Sequence, residues 1–248
     1  TVGGAAFGLD PQARLDYGYQ GEARLLPTAK EMIRQAYGKG PDRLYYGGCS
    51  NGGRHALVAA ARYGDQYDGF LAGAPGYNLP KAAIASIYGG QQYLSISNDP
   101  TSYTPGNLAT AWTTAERALV ASAVVAKCDA LDGAADGIVQ DTTACQASFN
   151  LQTDVPTCTG ARDDSCLTAA QKTVIASIFA GPKTSAGTPV YASFPFDGGH
   201  GSGGIPFWEF TAPIALDSGA VGQIFKVPPL AGTSTGADLA TWAMTTSI

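Results

Sequence analysis

The chain has 248 residues, of which 45% are hydrophobic and 14% charged, with a net charge of −5. That is enough to bury a large core as one domain or two, and too rich in aliphatic and aromatic residues for a disordered chain. Without a basic excess, nucleic acid is not an expected partner; the longest strongly apolar stretch, Ala118 to Ala126, is far short of the ~20 residues a membrane helix needs, so a membrane is not expected either. The chain begins at Thr1 without a signal-like leader and reads as a mature product or a fragment.

Residues 1–76 read as alternating helices and strands. Gly21 to Tyr37 has helical spacing, with Leu25, Ala29, Met32, Ile33 and Ala36 on one face and Gly38 as its stop. Pro27 lies inside that run and is expected to delay or kink the helix start. Arg43 to Gly47 reads as a short buried strand, Gly52 to Tyr63 as a helix, and Phe70 to Ala72 as a second strand closed by Gly73-Ala74-Pro75-Gly76. Strand, sharp turn, helix, strand is a βαβ unit with a parallel sheet, hence an α/β fold. Residues 77–248 change character, being rich in Thr, Ser, Gly and Pro. Helical runs are expected at Ala109 to Lys127, at Leu167 to Ala180 behind a Ser165 or Thr168 cap, and at Ala237 to Met244. No further βαβ pattern follows, so this region reads as a large insertion or cap on the core.

Between the first strand and its helix stands Gly48-Cys49-Ser50-Asn51-Gly52, which fits Gly-x-Ser-x-Gly. A serine in a strained strand-to-helix turn, with glycines where the backbone closes on itself, is a nucleophile elbow. Ser50 is the expected nucleophile, and the Asn51 N–H, at the helix N-terminus, the expected oxyanion donor. The bland alternative is a glycine-rich turn with an ordinary serine. A serine hydroxyl needs a base, and the chain has two histidines. His55, one turn into the helix, is expected to point away from the hydroxyl. His200 lies in a loop of the inserted region and is a weak candidate. The base is therefore expected to lie outside this chain.

Four of the five cysteines, Cys128, Cys145, Cys158 and Cys166, cluster in Gly/Asp/Thr-rich sequence without CxxC spacing. Two disulfides are a better reading than zinc, with Cys128–Cys145 and Cys158–Cys166 the most local of three pairings. Disulfides imply an oxidising compartment, secreted or periplasmic. Cys49 is left over, as a free thiol or one whose partner is elsewhere. The same region carries Asp129, Asp132 and Asp136 within eight residues, with Gly133 and Gly137 after the second and third. Such a loop suits a hard cation such as calcium, or else a pair of solvated Asp-Gly turns; the residues leave both open.

The segments Tyr45-Tyr46-Gly47-Gly48-Cys49-Ser50-Asn51-Gly52-Gly53-Arg54 and Tyr67-Asp68-Gly69-Phe70-Leu71-Ala72-Gly73-Ala74-Pro75 resemble the signatures of the tannase and feruloyl esterase family. Ala74-Pro75-Gly76-Tyr77-Asn78-Leu79-Pro80-Lys81-Ala82, with Ala180-Gly181-Pro182 and Ser185-Ala186-Gly187-Thr188-Pro189, is similar to its terephthalate-monoester branch. The likeness covers most of residues 9–200. It implies an α/β-hydrolase core, here partial over residues 1–76, with a large, mostly helical and irregular lid over residues 77–248. It implies a serine carboxylic ester hydrolase acting through an acyl-enzyme on small aromatic esters of feruloyl, galloyl or terephthalate monoester type. It also implies a structural calcium ion held by the carboxylates of Asp129, Asp132 and Asp136 and the carbonyls of Ala134 and Ile138. A disulfide from Cys49 to a cysteine just after the catalytic histidine is a further implication. The family's C-terminal Asp, its His-Cys pair and an upstream Gly-His oxyanion segment have no counterpart here. The chain thus resembles the middle of a longer protein, expected to be inactive alone, with a C-terminal segment or a second chain possible through Cys49. The rival reading is a non-catalytic, calcium-stabilised binding module.

Substrate contacts are expected from the lid, since aromatic acids need flat apolar walls. Leu79 and Ala82 match pocket positions near the nucleophile, and Trp208 matches a lid tryptophan; ordinary packing is the alternative for each. No arginine follows Arg162, so a carboxylate-binding arginine for terephthalate is not identifiable.

Overall fold

The computed structural model of the chain describes residues 4–230 and 236–245. The chain divides into two compact units, Thr1–Pro80 with Gln223–Gly232, and Lys81–Gly222 with Thr233–Ile248. The expected boundary after residue 76 compares with a division after Pro80, and residues 223–230 fold with the first unit.

In the first unit, Asp10 caps a short helix, Pro11–Leu15, by accepting from the Gln12 N–H at 2.8 Å. A π turn, Asp16–Gln20, leads into helix α1, Gly21–Tyr37. The delay expected of Pro27 at the helix start is corrected here, because α1 begins at Gly21 with Pro27 inside it. The π turn delivers Gly21 already in helical conformation, at φ −56 and ψ −38, so the first turn exists before Pro27 removes an N–H. Gly38 ends α1 in the left-handed region at φ 76, its N–H donating to the Arg34 carbonyl.

Strands β1, Tyr45–Cys49, and β2, Gly69–Gly73, pair in parallel with Tyr45 opposite Gly69 and Cys49 opposite Gly73. The first strand lies two residues later than the expected 43–47. Asp68 explains the shift: its carboxylate accepts from the Leu44 N–H at 2.7 Å and from Arg43 at 2.8 Å, so the ladder opens after Leu44. Helix α2, Asn51–Tyr63, connects the strands. Tyr45 is 69% exposed and Leu71 73%, so this two-stranded sheet keeps apolar surface uncovered within its unit.

The second unit is built on helices. Helix α3, Leu79–Leu94, begins at the unit boundary and was not anticipated by the periodicity. Its Gly89-Gly90 pair hides a helical signal, and packing explains the second glycine: a Cβ at Gly90 would stand 3.0 Å from Met244 Cε and 3.0 Å from Pro213 Cβ. Helix α4 spans Thr114–Cys128 and α5 spans Ala169–Ala180. The expected continuous helix over Ala109 to Lys127 is corrected: Ala109 ends a short Pro105–Leu108 turn, and a reciprocal Thr113–Glu116 capping box restarts the chain as α4. Thr168 and Gln171 form the same box at α5. Three π-helical stretches, Phe207–Thr211, Pro213–Asp217 and Ala220–Phe225, precede helix α6, Gly236–Thr245.

The hydrophobic core cluster belongs to this unit and runs in sequence from Tyr93 to Phe210, around Trp112, Val120, Leu167 and Ile175. Fully buried Glu116 joins the two capped helix starts. Arg162 pairs with its carboxylate, and the Gln171 amide donates to both carboxylate oxygens at 3.0 Å. Burial pushes the Glu116 acid up, but Arg162, Gln171 and the Thr113 N–H outweigh it and hold the group below its ordinary range. Disulfides join Cys128 to Cys145 and Cys158 to Cys166. Among the described residues, no helix is long and apolar enough to cross a membrane.

Candidate nucleophile elbow

Ser50 follows β1 and precedes α2 with φ 57 and ψ −117, a conformation that non-glycine residues rarely adopt. Three backbone hydrogen bonds hold it there. The Ser50 N–H donates to the Gly73 carbonyl at 3.0 Å, and the Ser50 carbonyl accepts from the N–H groups of Arg54 at 3.0 Å and Gly76 at 3.1 Å. The end of β2 and the turn after it therefore fix the residue that follows β1.

The glycines of the motif are not equivalent. A Cβ on Gly48 would lie 2.5 Å from the carbonyl of Gly52, and one on Gly53 would lie 2.6 Å from the Gly73 carbonyl oxygen. Gly52 itself has open space around its Cβ position. The close approaches thus fall on Gly48 and Gly53, not on both glycines of Gly-x-Ser-x-Gly.

Asn51 is the first residue of α2, where a backbone N–H has no acceptor within the helix. It stands beside the exposed Ser50, at the positive end of the helix dipole. That is the geometry of a donor waiting for a developing negative charge.

His55 makes no hydrogen bond to Ser50. His55 is engaged through Nδ1 with Glu22 and through Nε2 with Arg54 at 2.9 Å. His200 belongs to the second unit, 7% exposed among the rings of Phe179, Trp112 and Phe196. Burial lowers its basicity, partly offset by the charge of Asp197. The sequence reading missed Glu22, which lies in the first turn of α1 with 5% exposure. A carboxylate amid the apolar spacing of that helix was the available signal. Glu22 also reaches two phenols. Tyr46 and Tyr67 are pushed up first by burial and then by interaction with Glu22.

Cys49 is a free, exposed thiol. Of the expected pocket residues, Leu79 and Ala82 are half-buried in α3, and Trp208 is 59% exposed, its ring edge-on to Phe207 at 5.0 Å.

In the acidic loop, Asp132 accepts from the N–H groups of Ala134 and Gln140, Asp129 from Gly137, and Asp136 from Ile138. Gly133 and Gly137 take left-handed φ values of 95 and 81. Two of these bonds are Asx turns, as an Asp-Gly turn pair makes. Backbone donors hold Asp132 below the usual carboxylate range. Among the described residues no three His, Cys, Asp or Glu side chains converge as a metal cluster. The donors are hard oxygens of the kind calcium takes, but the side chains are turned onto backbone N–H groups.

Comparison with known proteins gives consistent matches. The family model for tannase and feruloyl esterase matches residues 1–222. A mono(2-hydroxyethyl) terephthalate hydrolase of Piscinibacter sakaiensis is 39% identical over 206 residues, covering 80% of this chain and 34% of that protein. A probable feruloyl esterase B-1 of Neosartorya fischeri is 30% identical over 208 residues, covering 80% of this chain and 37% of the relative. The chain thus spans about a third of the length of these curated relatives. Among solved structures, feruloyl esterase B from Aspergillus oryzae superposes with a TM-score of 0.70 at 24% identity, covering 96% of this chain and 46% of that one. Tannin acyl hydrolase from Aspergillus niger gives 0.62 at 21% identity, covering 94% and 44%. The architecture is accordingly a partial α/β-hydrolase core with a helical insertion. On the match over residues 1–222, carrying the Ser50 elbow, the chain belongs to the tannase and feruloyl esterase family.

Proposed function

We propose that this chain carries the nucleophile side of a serine carboxylic ester hydrolase for esters of aromatic acids. The observation that carries the reading is the strained Ser50 between β1 and α2, with the Asn51 N–H at the helix start. The Ser50 Oγ attacks the ester carbonyl, and the Asn51 N–H donates to the oxygen as it becomes negative. The C–O bond to the alcohol breaks, the alcohol leaves with a proton, and the acyl group stays on Ser50. Water then cleaves the acyl-enzyme and restores the hydroxyl. An oxyanion donor of this kind contributes ~10²–10³ in rate. His55 is held by Glu22 and Arg54; a base from outside this chain is the one proposed to take the serine proton.

Relatives named for feruloyl and terephthalate esters support an aromatic acyl group. Leu79, Ala82 and Trp208 remain the proposed acyl contacts, each tested by the rise in KM on substitution. A calcium ion in the acidic loop would draw on Asp129, Asp132, Asp136 and the carbonyls of Ala134 and Ile138, and would stabilise that loop. Calorimetric titration with calcium, against the Asp129→Asn chain, tests it. The two disulfides support an oxidising compartment.

The test of the main reading uses the protein isolated at its native length. A fluorophosphonate labels Ser50, and a panel of feruloyl, galloyl and terephthalate esters is turned over; an unreactive Ser50 at that length returns the reading to a non-catalytic binding module. Intact mass before and after reduction examines Cys49: a heavier species that releases this 25.4 kDa chain on reduction carries a second chain tethered there.

A further inference from the structure

Glu22 is a carboxylate 5% exposed, and such a group costs free energy unless it is well partnered. Its Oε1 bonds His55 Nδ1. His55 Nε2 stands 2.9 Å from Arg54 Nη2. A guanidinium donates and never accepts, so Nε2 is the unprotonated nitrogen and Nδ1 carries the hydrogen given to Glu22. Arg54 is in turn fixed on three sides. Its Nε donates to Asn51 Oδ1 at 2.8 Å, its Nη2 donates to the Tyr17 carbonyl at 3.2 Å, and its guanidinium lies 4.5 Å from the centre of the Tyr17 ring. The Asn51 Nδ2 lies 3.4 Å from the same His55 nitrogen. The carboxamide of Asn51 is therefore held at both ends, its oxygen toward a cation and its nitrogen toward an imidazole acceptor.

We infer that Glu22 and His55 are positioning residues for the elbow: Glu22 selects the His55 tautomer, His55 and Arg54 orient Asn51, and Asn51 presents the oxyanion N–H. This rests on the reading of Ser50 as nucleophile. The chain of contacts spends a buried carboxylate on a neutral ring, where an apolar pair would stabilise packing at less cost; what the carboxylate adds is a direction. Misplacement by an ångström at a reacting centre costs up to ~10²-fold in rate, so the direction has kinetic consequences.

Nitrogen-15 spectra of the imidazoles and of the Asn51 backbone amide, recorded on the full chain, test the inference without turnover. The wild-type chain shows His55 protonated at Nδ1 and one sharp Asn51 amide resonance. E22Q loses that preference and broadens or splits the Asn51 resonance, while the α5 amides of the second unit stay unchanged. H55Q gives Arg54 an amide oxygen that needs no tautomer, so E22Q/H55Q restores the single Asn51 resonance. His55 protonated at Nε2, or an Asn51 resonance untouched by E22Q, overturns the inference. So does a collapse of amide dispersion throughout the first unit in E22Q that E22Q/H55Q does not regain, which would make Glu22 a folding residue. Kinetics at native length add a second reading: E22Q lowers kcat about tenfold with KM within twofold. A wild-type Ser50 that never reacts counts against the esterase reading, whereas the spectra decide the positioning independently.

Discussion

In the second unit, Glu116, Arg162 and Gln171 close two helix starts over a core that runs from Tyr93 to Phe210, with two disulfides beside it. In the first, a serine is held in a left-handed conformation by three backbone hydrogen bonds while Tyr45 and Leu71 of its two-stranded sheet stay exposed. One region is organised by side-chain burial, the other by main-chain geometry. Stability and the candidate chemistry should then respond to different substitutions.

The largest effect expected is for Arg162→Ala. Removing the cation leaves Glu116 buried and unpaired, a loss of about 3–5 kcal/mol. Denaturant unfolding followed by Trp112 fluorescence measures it, and an unchanged midpoint would break the contrast between the units. Next is the Cys128–Cys145 link, whose residues are 17 apart in sequence. Its removal by paired Ala substitutions should cost roughly 3 kcal/mol in the same experiment.

Third is Asp217, which burial pushes up from 3.8 to about 6 against a hydrogen bond from Ser86. The folded unit prefers the neutral acid. Its destabilisation is absent below about pH 4, grows as pH rises, and is complete above about pH 6. Asp217→Asn should therefore stabilise the second unit by roughly 2–3 kcal/mol at pH 7.5 and by almost nothing at pH 4. Equal shifts in Tm at the two pH values would refute this. The smallest effect, and the sharpest for the first unit, separates two glycines of one motif. Gly48→Ala drives a Cβ into the Gly52 backbone and should cost about 1–3 kcal/mol, whereas Gly52→Ala enters open space and should stay within about 0.5 kcal/mol.

The elbow was legible in the sequence because its signal is local. The glycines, the strand before Ser50 and the helix after it lie within twenty residues and tolerate few alternatives. Helix α3 was not legible, because Gly90 serves contacts with Pro213 and Met244, more than 100 positions away. Nor was the start of α4, where a four-residue capping box overrode an apolar rhythm that continued upstream through Ala109 and Ala111. The Glu22–His55 contact spans 33 positions, and nothing in the spacing of either residue announces the other. The acidic loop was legible as a loop whose Asp side chains suit a cation or turns; Asp132 and Asp136 each accept from the N–H two residues on, as Asx turns do.

The way Ser50 is held has a practical consequence. Its strained conformation is maintained by its own amide and carbonyl, bonded to Gly73, Gly76 and Arg54, with no part played by the hydroxyl. Ser50→Ala should consequently leave the turn standing while removing the oxygen proposed to attack. On that proposal such a chain would be a quiet receptor: an ester that reached it would stay intact, and co-crystals or equilibrium dialysis could then report which acyl groups it retains.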